Sequence, residues 1–296
     1  MTADYFELAS NGIRGLQPYQ PGKPVEELER ELGLKDIIKL ASNENPLGPS
    51  EHVVKALTAA LPEAARYPDG SAFELKKALA AKLNVAEETL TIGNGSNDVL
   101  ELLARVYVRP GAEVLVSEHS FVVYPLLTIS LGAELITVPA LNYGQDLDAT
   151  LDAVTAKTRM VFIANPNNPT GTWLSEKAIR SFLDQVSDDV IVVLDEAYFE
   201  YVEDDDYPDG IQLSKEYPNL VVTRTFSKAY GLAGLRIGYS VSHPDMADMM
   251  NRVRQPFNVN SLSLVGALKA LDDTYYIEQV VAEFTEPKAS QSDDIK

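Results

Sequence analysis

The stretch Thr223-Arg224-Thr225-Phe226-Ser227-Lys228-Ala229-Tyr230-Gly231-Leu232-Ala233-Gly234-Leu235-Arg236-Ile237-Gly238 decides how the chain is read. It follows the apolar run Leu220-Val221-Val222, which has the character of a buried strand end, and its glycines let the backbone turn sharply. Hydroxyls and a guanidinium gathered at such a turn suit a phosphate group. An ammonium beside an anion site can instead form a Schiff base with a carbonyl. Taken alone, a Ser-Lys pair reads as a surface loop with an ordinary solvated lysine, so the surrounding chain has to decide.

Working outward, the chain alternates β-rich runs with helical ones. Strands are predicted over residues 89–93, 114–117, 135–138, 160–164, 190–194, 220–223 and 237–240. Helical patterns lie between them at 98–106, 121–131, 176–186 and 244–254. Near-continuous apolar strands separated by helices predict an α/β fold with a mostly parallel sheet covered on both faces, and ligands in such sheets collect at the carboxyl ends of the strands. Before this region the pattern predicts helices over 24–34, 50–61 and 73–83, a short strand over 37–40, and a turn-rich loop Ser42-Asn43-Glu44-Asn45-Pro46-Leu47-Gly48-Pro49. A final helix is predicted over 261–284.

Composition narrows the chemistry. The 296 residues can bury a large core, and no apolar run approaches the ~20 residues of a spanning helix. The start, with Asp4 and Glu7, lacks the pattern of a signal peptide, which leads us to expect a soluble, cytoplasmic protein. There is no cysteine and the three histidines are scattered, so thiolate chemistry is excluded and no metal centre is expected. A formal net charge of -19 repels nucleic acid and anionic lipid, so an anionic ligand needs a local site. The acidic run Glu203-Asp204-Asp205-Asp206 reads as a solvated face.

Four further motifs fall at strand ends. Gly93-Asn94-Gly95-Ser96-Asn97-Asp98 runs from a strand into a helix and reads either as a capping turn or as a phosphate cradle. It has neither the full dinucleotide glycine spacing nor the lysine of a Walker loop, which disfavours a nicotinamide oxidoreductase. Phe121 follows the second strand, where an aromatic ring can stack on a flat heterocycle. The loop Asn165-Pro166-Asn167-Asn168-Pro169-Thr170-Gly171 is dense in amides, which a plain turn does not explain. Asp195, in Asp195-Glu196-Ala197-Tyr198, follows an unbroken apolar run and needs a partner if buried: an arginine in a structural ion pair, or a protonated ring nitrogen.

In this order and spacing, Gly93-Asn94-Gly95-Ser96-Asn97-Asp98, Asn168-Pro169-Thr170-Gly171, Asp195-Glu196-Ala197-Tyr198, Ser227-Lys228 and Arg236 resemble the pyridoxal phosphate (PLP)-dependent aminotransferases of fold type I. Within them, Leu16-Gln17-Pro18-Tyr19, the 42–49 loop, Arg66-Tyr67-Pro68 and residues 223–229 resemble the histidinol-phosphate aminotransferase family, over about residues 14–284. The resemblance implies amino transfer between histidinol phosphate and 2-oxoglutarate in histidine biosynthesis, with an aromatic amino acid aminotransferase as the alternative. It implies that Lys228 holds the cofactor as a Schiff base and shuttles protons, and that Asp195 keeps the pyridine nitrogen protonated. Tyr198 and Asn168 would hydrogen-bond the phenolic oxygen, and Phe121 would stack on the ring. Ser96, Asn97, Thr225, Ser227 and Arg236 would bind the phosphate, with Tyr67 reaching in from the second subunit of a homodimer. Tyr19 and Asn45 would lie near the substrate. Arg236, a cation beside Lys228, is expected to lower its pKa.

The family's organisation implies an N-terminal arm and part of a small domain over 1–45, a large PLP-binding domain over 46–255, a helix over 256–284 leading into an incomplete small domain, and a disordered tail over 285–296. No arginine follows Arg254, whereas family members grip the substrate anion with an arginine of the C-terminal part. The expectation drawn from this is a split one: PLP binding retained, with little turnover as the competing outcome to an active transaminase.

Overall fold

The computed structural model describes residues 3–20, 22–35 and 37–285. Seven strands, β1 (Leu90–Gly93), β2 (Glu113–Ser117), β3 (Glu134–Val138), β4 (Thr158–Ala164), β5 (Ile191–Asp195), β6 (Leu220–Thr225) and β7 (Gly238–Val241), form one sheet in the order β1-β7-β6-β5-β4-β2-β3. Every strand predicted from residue 89 onward is present. All pairings are parallel except those of β7, which runs antiparallel to both β1 and β6. The carboxyl ends of β1 and β6 therefore lie beside the start of β7.

Because side chains alternate along a strand, the sheet feeds two cores. Val161, Ile163, Val192, Leu194 and Val222 enter one; Met160, Phe162, Ile191, Val193 and Val221 enter the other. Helix Phe73–Leu83 contributes Leu75 and Leu79 to the first, and helix Glu176–Leu183 adds Ile179 and Phe182. Helix Ser96–Tyr107 covers the other face with Val99, Leu100 and Leu103, beside Met250 of helix Pro244–Val253. Both faces are covered, so the strands can be apolar at every position.

Helix bounds follow their caps. The Ser50 hydroxyl accepts from Val53 N–H at 3.3 Å and starts Glu51–Ala60, while Gly33, at φ 65°, ends Val25–Leu32. Two expectations are corrected. The helix predicted over 261–284 is two, Ser261–Asp272 and Thr274–Thr285, because Asp273 leaves the helical region (ψ 64°) and its carboxylate accepts from Tyr276 N–H at 3.3 Å. The short run 37–40 pairs with no strand among the described residues; Ile38 and Leu40 are 81% and 89% exposed. It shares the lining of a cleft with residues of loop 166–171. Residues 203–206 are exposed. The tail expected to be disordered lies, from residue 286 on, outside the described residues. No helix among the described residues is long and apolar enough to cross a membrane.

Candidate active site

At the carboxyl ends of β1, β4, β5 and β6 is a cavity of about 160 Å³. Ser96, Asn97, Phe121, Asn168, Asp195, Tyr198, Thr225, Ser227, Lys228 and Arg236 all line it, joined by Tyr124, Ala164, Pro166 and Ala197. Residues up to 140 positions apart converge here because the sheet brings successive strand ends to one edge.

The alternation at the end of β5 separates two acids. Glu196 continues the face of Val192 and Leu194 and meets Arg224, which continues the face of Val222 on β6. Arg224 Nε donates to Glu196 Oε2 at 2.8 Å, its Nη2 donates to Asp209 Oδ1 at 2.9 Å, and the guanidinium carbon lies 3.4 Å from the Phe199 ring centroid. Burial pushes the Glu196 carboxyl up and the guanidinium draws it back down.

Asp195 faces the other side, 5% exposed, and pairs with no arginine among the described residues. It accepts from Tyr124 Oη at 2.7 Å and Thr223 Oγ1 at 3.0 Å. Burial raises its pKa, while these hydroxyls, the Ala197 N–H and the Lys228 charge lower it. Of the two partners open for Asp195, the arginine belongs to Glu196 instead.

Lys228 Nζ donates to the Ser42 carbonyl at 2.8 Å and lies 5.5 Å from the Tyr198 ring centroid. Burial is the leading cause of its lowered pKa; Arg236 lowers it further, and Glu44 and Asp195 act in the opposite sense. The expectation that Arg236 lowers this pKa is met, with burial as the larger cause. The Tyr198 hydroxyl accepts from Asn43 Nδ2 at 2.9 Å. The loop 42–49 thus touches both Lys228 and Tyr198.

The polar end of the cavity is built on close backbone approach. Gly95 has φ 86°, and a Cβ there would lie 2.5 Å from Arg236 Nη2. A Cβ at Gly238 would run into the Ser96 backbone nitrogen. Arg236 itself takes φ 55°, and its Nη1 reaches Ser227 Oγ at 3.4 Å. Helix Ser96–Tyr107 has no side-chain cap. These features make a concave cluster of hydroxyls, one guanidinium and uncapped first-turn N–H groups, the composition that holds a phosphate.

The asparagine-rich loop divides its labour. Asn165 exchanges bonds with the Leu174 backbone at 3.2 and 2.7 Å, and Asn167 donates to His119 O at 2.7 Å. Both shape the loop, and Asn168 is left to line the cavity.

Three expected site residues do not line it. Tyr67 is 82% exposed and stacks on Phe257 with ring centroids 4.8 Å apart. Tyr19 is exposed. Asn45 is buried and donates to Ala229 O at 3.0 Å, one residue past Lys228, and to Tyr276 Oη at 3.3 Å. Sequence reasoning missed Tyr124, Thr223, Ser42 and Asn43. Tyr124 and Thr223 look like ordinary core positions in a linear reading. A signal was available: Thr223 stands in register with Asp195 once β5 and β6 are paired.

A half-buried lysine and a buried acid at the strand ends of a sheet of this order, beside an anion cradle, define the class, and the chain belongs to the family "Aminotransferase class I and II", which it matches over residues 35–290. Its fold is that of the fold type I aminotransferases: it superposes with a TM-score of 0.84 on the histidinol-phosphate aminotransferase of Sinorhizobium meliloti in complex with pyridoxal 5'-phosphate, at 33% identity, covering 92% of this chain and 73% of that one. It is 58% identical to histidinol-phosphate aminotransferase 1 of Idiomarina loihiensis, over 93% of this chain and 75% of that protein. It is 55% identical to histidinol-phosphate aminotransferase 1 of Nitrosococcus oceani, over 93% of this chain and 74% of that protein.

Proposed function

We propose that this chain is a PLP-dependent transaminase that moves the amino group between histidinol phosphate and 2-oxoglutarate, in histidine biosynthesis. One observation carries the reading: Asp195, buried and without an arginine, lines the same small cavity as Lys228 and the anion cradle. The residues present fit the cofactor. The cradle that a Cβ at Gly95 or Gly238 would fill suits its phosphate, and a carboxylate held by two hydroxyls but by no guanidinium suits a protonated ring nitrogen.

When bound, the cofactor supplies an electron sink for a carbanion at the substrate Cα. Lys228 would hold it covalently and, once released, take the proton from that carbon. Asp195 would keep the ring nitrogen protonated, and the Tyr124 and Thr223 hydroxyls orient the carboxylate for this. Tyr198 and Asn168 would bond the phenolic oxygen, and Phe121 would stack on the ring. Ser96, Asn97, Thr225, Ser227 and Arg236 would bind the phosphate, each charge-assisted contact contributing about 1.5–3 kcal/mol. Tyr19 and Asn45 are assigned to the substrate side. Tyr67, exposed beside Phe257, is assigned to the second site of a cytoplasmic homodimer. Residues 1–45 and 256–284 would belong to a small domain beside the large PLP-binding domain 46–255.

Visible absorbance of the protein mixed with PLP tests the reading. A lysine-bound cofactor band is expected, lost in Lys228→Ala and converted on adding histidinol phosphate. An unchanged spectrum in Lys228→Ala would refute the assignment of the lysine. Comparing histidinol phosphate with tyrosine and phenylalanine as donors tests the substrate; faster turnover of an aromatic amino acid would make this an aromatic aminotransferase.

A further inference from the structure

We propose that Asp98, Asn258 and Arg254 are positioning residues that set the geometry of the phosphate cradle and couple it to the loop carrying Tyr67. The proposal rests on the cofactor reading above. Asp98 sits in the first turn of helix Ser96–Tyr107, yet its carboxylate does not cap that helix. Its Oδ2 turns back to accept from Asn94 N–H at 2.8 Å and from Asn258 Nδ2 at 2.6 Å. Asn258 Nδ2 also reaches Ile92 O, at 3.3 Å, on β1. The strand end and the first helical turn are thus held to one side chain across the cradle backbone.

Arg254 extends the chain of contacts. Its Nη1 donates to Asn258 Oδ1 at 2.7 Å, fixing which way the amide faces, and its Nη2 donates to Gly70 O at 2.8 Å. Gly70 closes the loop that carries Tyr67, and Tyr67 stacks on Phe257, which lies between Arg254 and Asn258 in sequence. None of the three side chains lines the cavity.

Two physical consequences follow. Holding Asn94 and Ile92 fixes the turn through Gly93 and Gly95, so the Ser96 and Asn97 N–H groups are already oriented when an anion arrives. Directing the Asp98 charge toward Asn94 and Asn258 also keeps a carboxylate in the first turn from competing with the phosphate for those donors. The chain of contacts should therefore act on the phosphate and not on the aldehyde end of the ligand.

Comparing PLP with pyridoxal, which lacks the phosphate, reads this directly. In Asp98→Ala, PLP binding is expected to weaken by about tenfold or more while pyridoxal binding changes by less than about twofold, and Asp98→Asn, whose carbonyl oxygen can accept both bonds, is expected to restore most of the loss. If Asp98→Ala does not fold, Asn258→Ala carries the same prediction with a smaller loss. Equal weakening of both ligands, or no weakening of PLP, overturns the inference while leaving the functional reading intact. If wild-type protein shows no Lys228-dependent band with PLP, the functional reading falls first and this inference with it.

Discussion

Asp195 is held by two hydroxyls and a backbone N–H and by no guanidinium, which leaves its charge for a ligand. Asp195→Asn keeps the shape but removes the negative charge opposite a protonated ring nitrogen, so transaminase turnover should fall by about two orders of magnitude or more, with PLP still bound. Near-wild-type kcat in this variant would remove Asp195 from the mechanism. The Lys228 pKa has a sign that can be tested without touching the cofactor's ligands. Glu44 raises that pKa, so Glu44→Gln should lower it further, and the pH midpoint for PLP capture should move to lower pH. A midpoint that moves up would contradict this sign. Asp195 was legible in sequence because an acid directly after an unbroken apolar run needs a partner, whereas Lys228 and Arg236 stood out only once the other strand-end motifs were read with them. Tyr124 and Thr223 were not, since a buried hydroxyl is distinguished from core only by the partner that the fold places opposite.

At the scale of elements, the ends of β5 and β6 hold two carboxylates on opposite faces with different fates. Glu196 and Arg224 are both buried, at 0% and 5% exposure, and clamp the two strands from behind the site. Arg224→Met would leave Glu196 buried without its cation and should cost about 3–5 kcal/mol of stability, whereas the double variant Arg224→Met, Glu196→Leu should recover much of that loss. Urea unfolding of the three proteins checks this, and a single variant as stable as wild type would show that the pair is dispensable. Strands were readable because both faces of the sheet are covered, which makes apolar runs continuous. The run 37–40 satisfies the same local pattern and is not a strand, because Ile38 and Leu40 find no apolar surface to cover them and no neighbouring strand pairs with the run among the described residues. The break at Asp273 was hidden for the converse reason: helical periodicity continues through it, and only a capping bond reveals the new start.

For the whole molecule, the question is whether one chain completes a site. The sequence assigns Tyr67 to the partner's phosphate by resemblance, and its 82% exposure leaves it available for that contact. Mixing Lys228→Ala with Tyr67→Ala should then restore activity, because the mixed dimer pairs the Lys228 of one chain with the Tyr67 of the other. No recovery, with exchange of subunits verified, would mean that sites are not shared. The antiparallel placement of β7 has a consequence for how such a protein is made. The hydroxyls of 225 and 227, the first turn at 96 and the guanidinium of 236 meet only after β7 has inserted between β1 and β6, so the cradle is a checkpoint on completed assembly of that edge. Cofactor should bind only the finished fold, adding about 2.7 kcal/mol at a hundredfold excess over Kd, and it should slow unfolding without hastening folding. Supply of the vitamin-derived cofactor in the growing cell would accordingly govern how much of the protein survives proteolysis, as well as how much of it works.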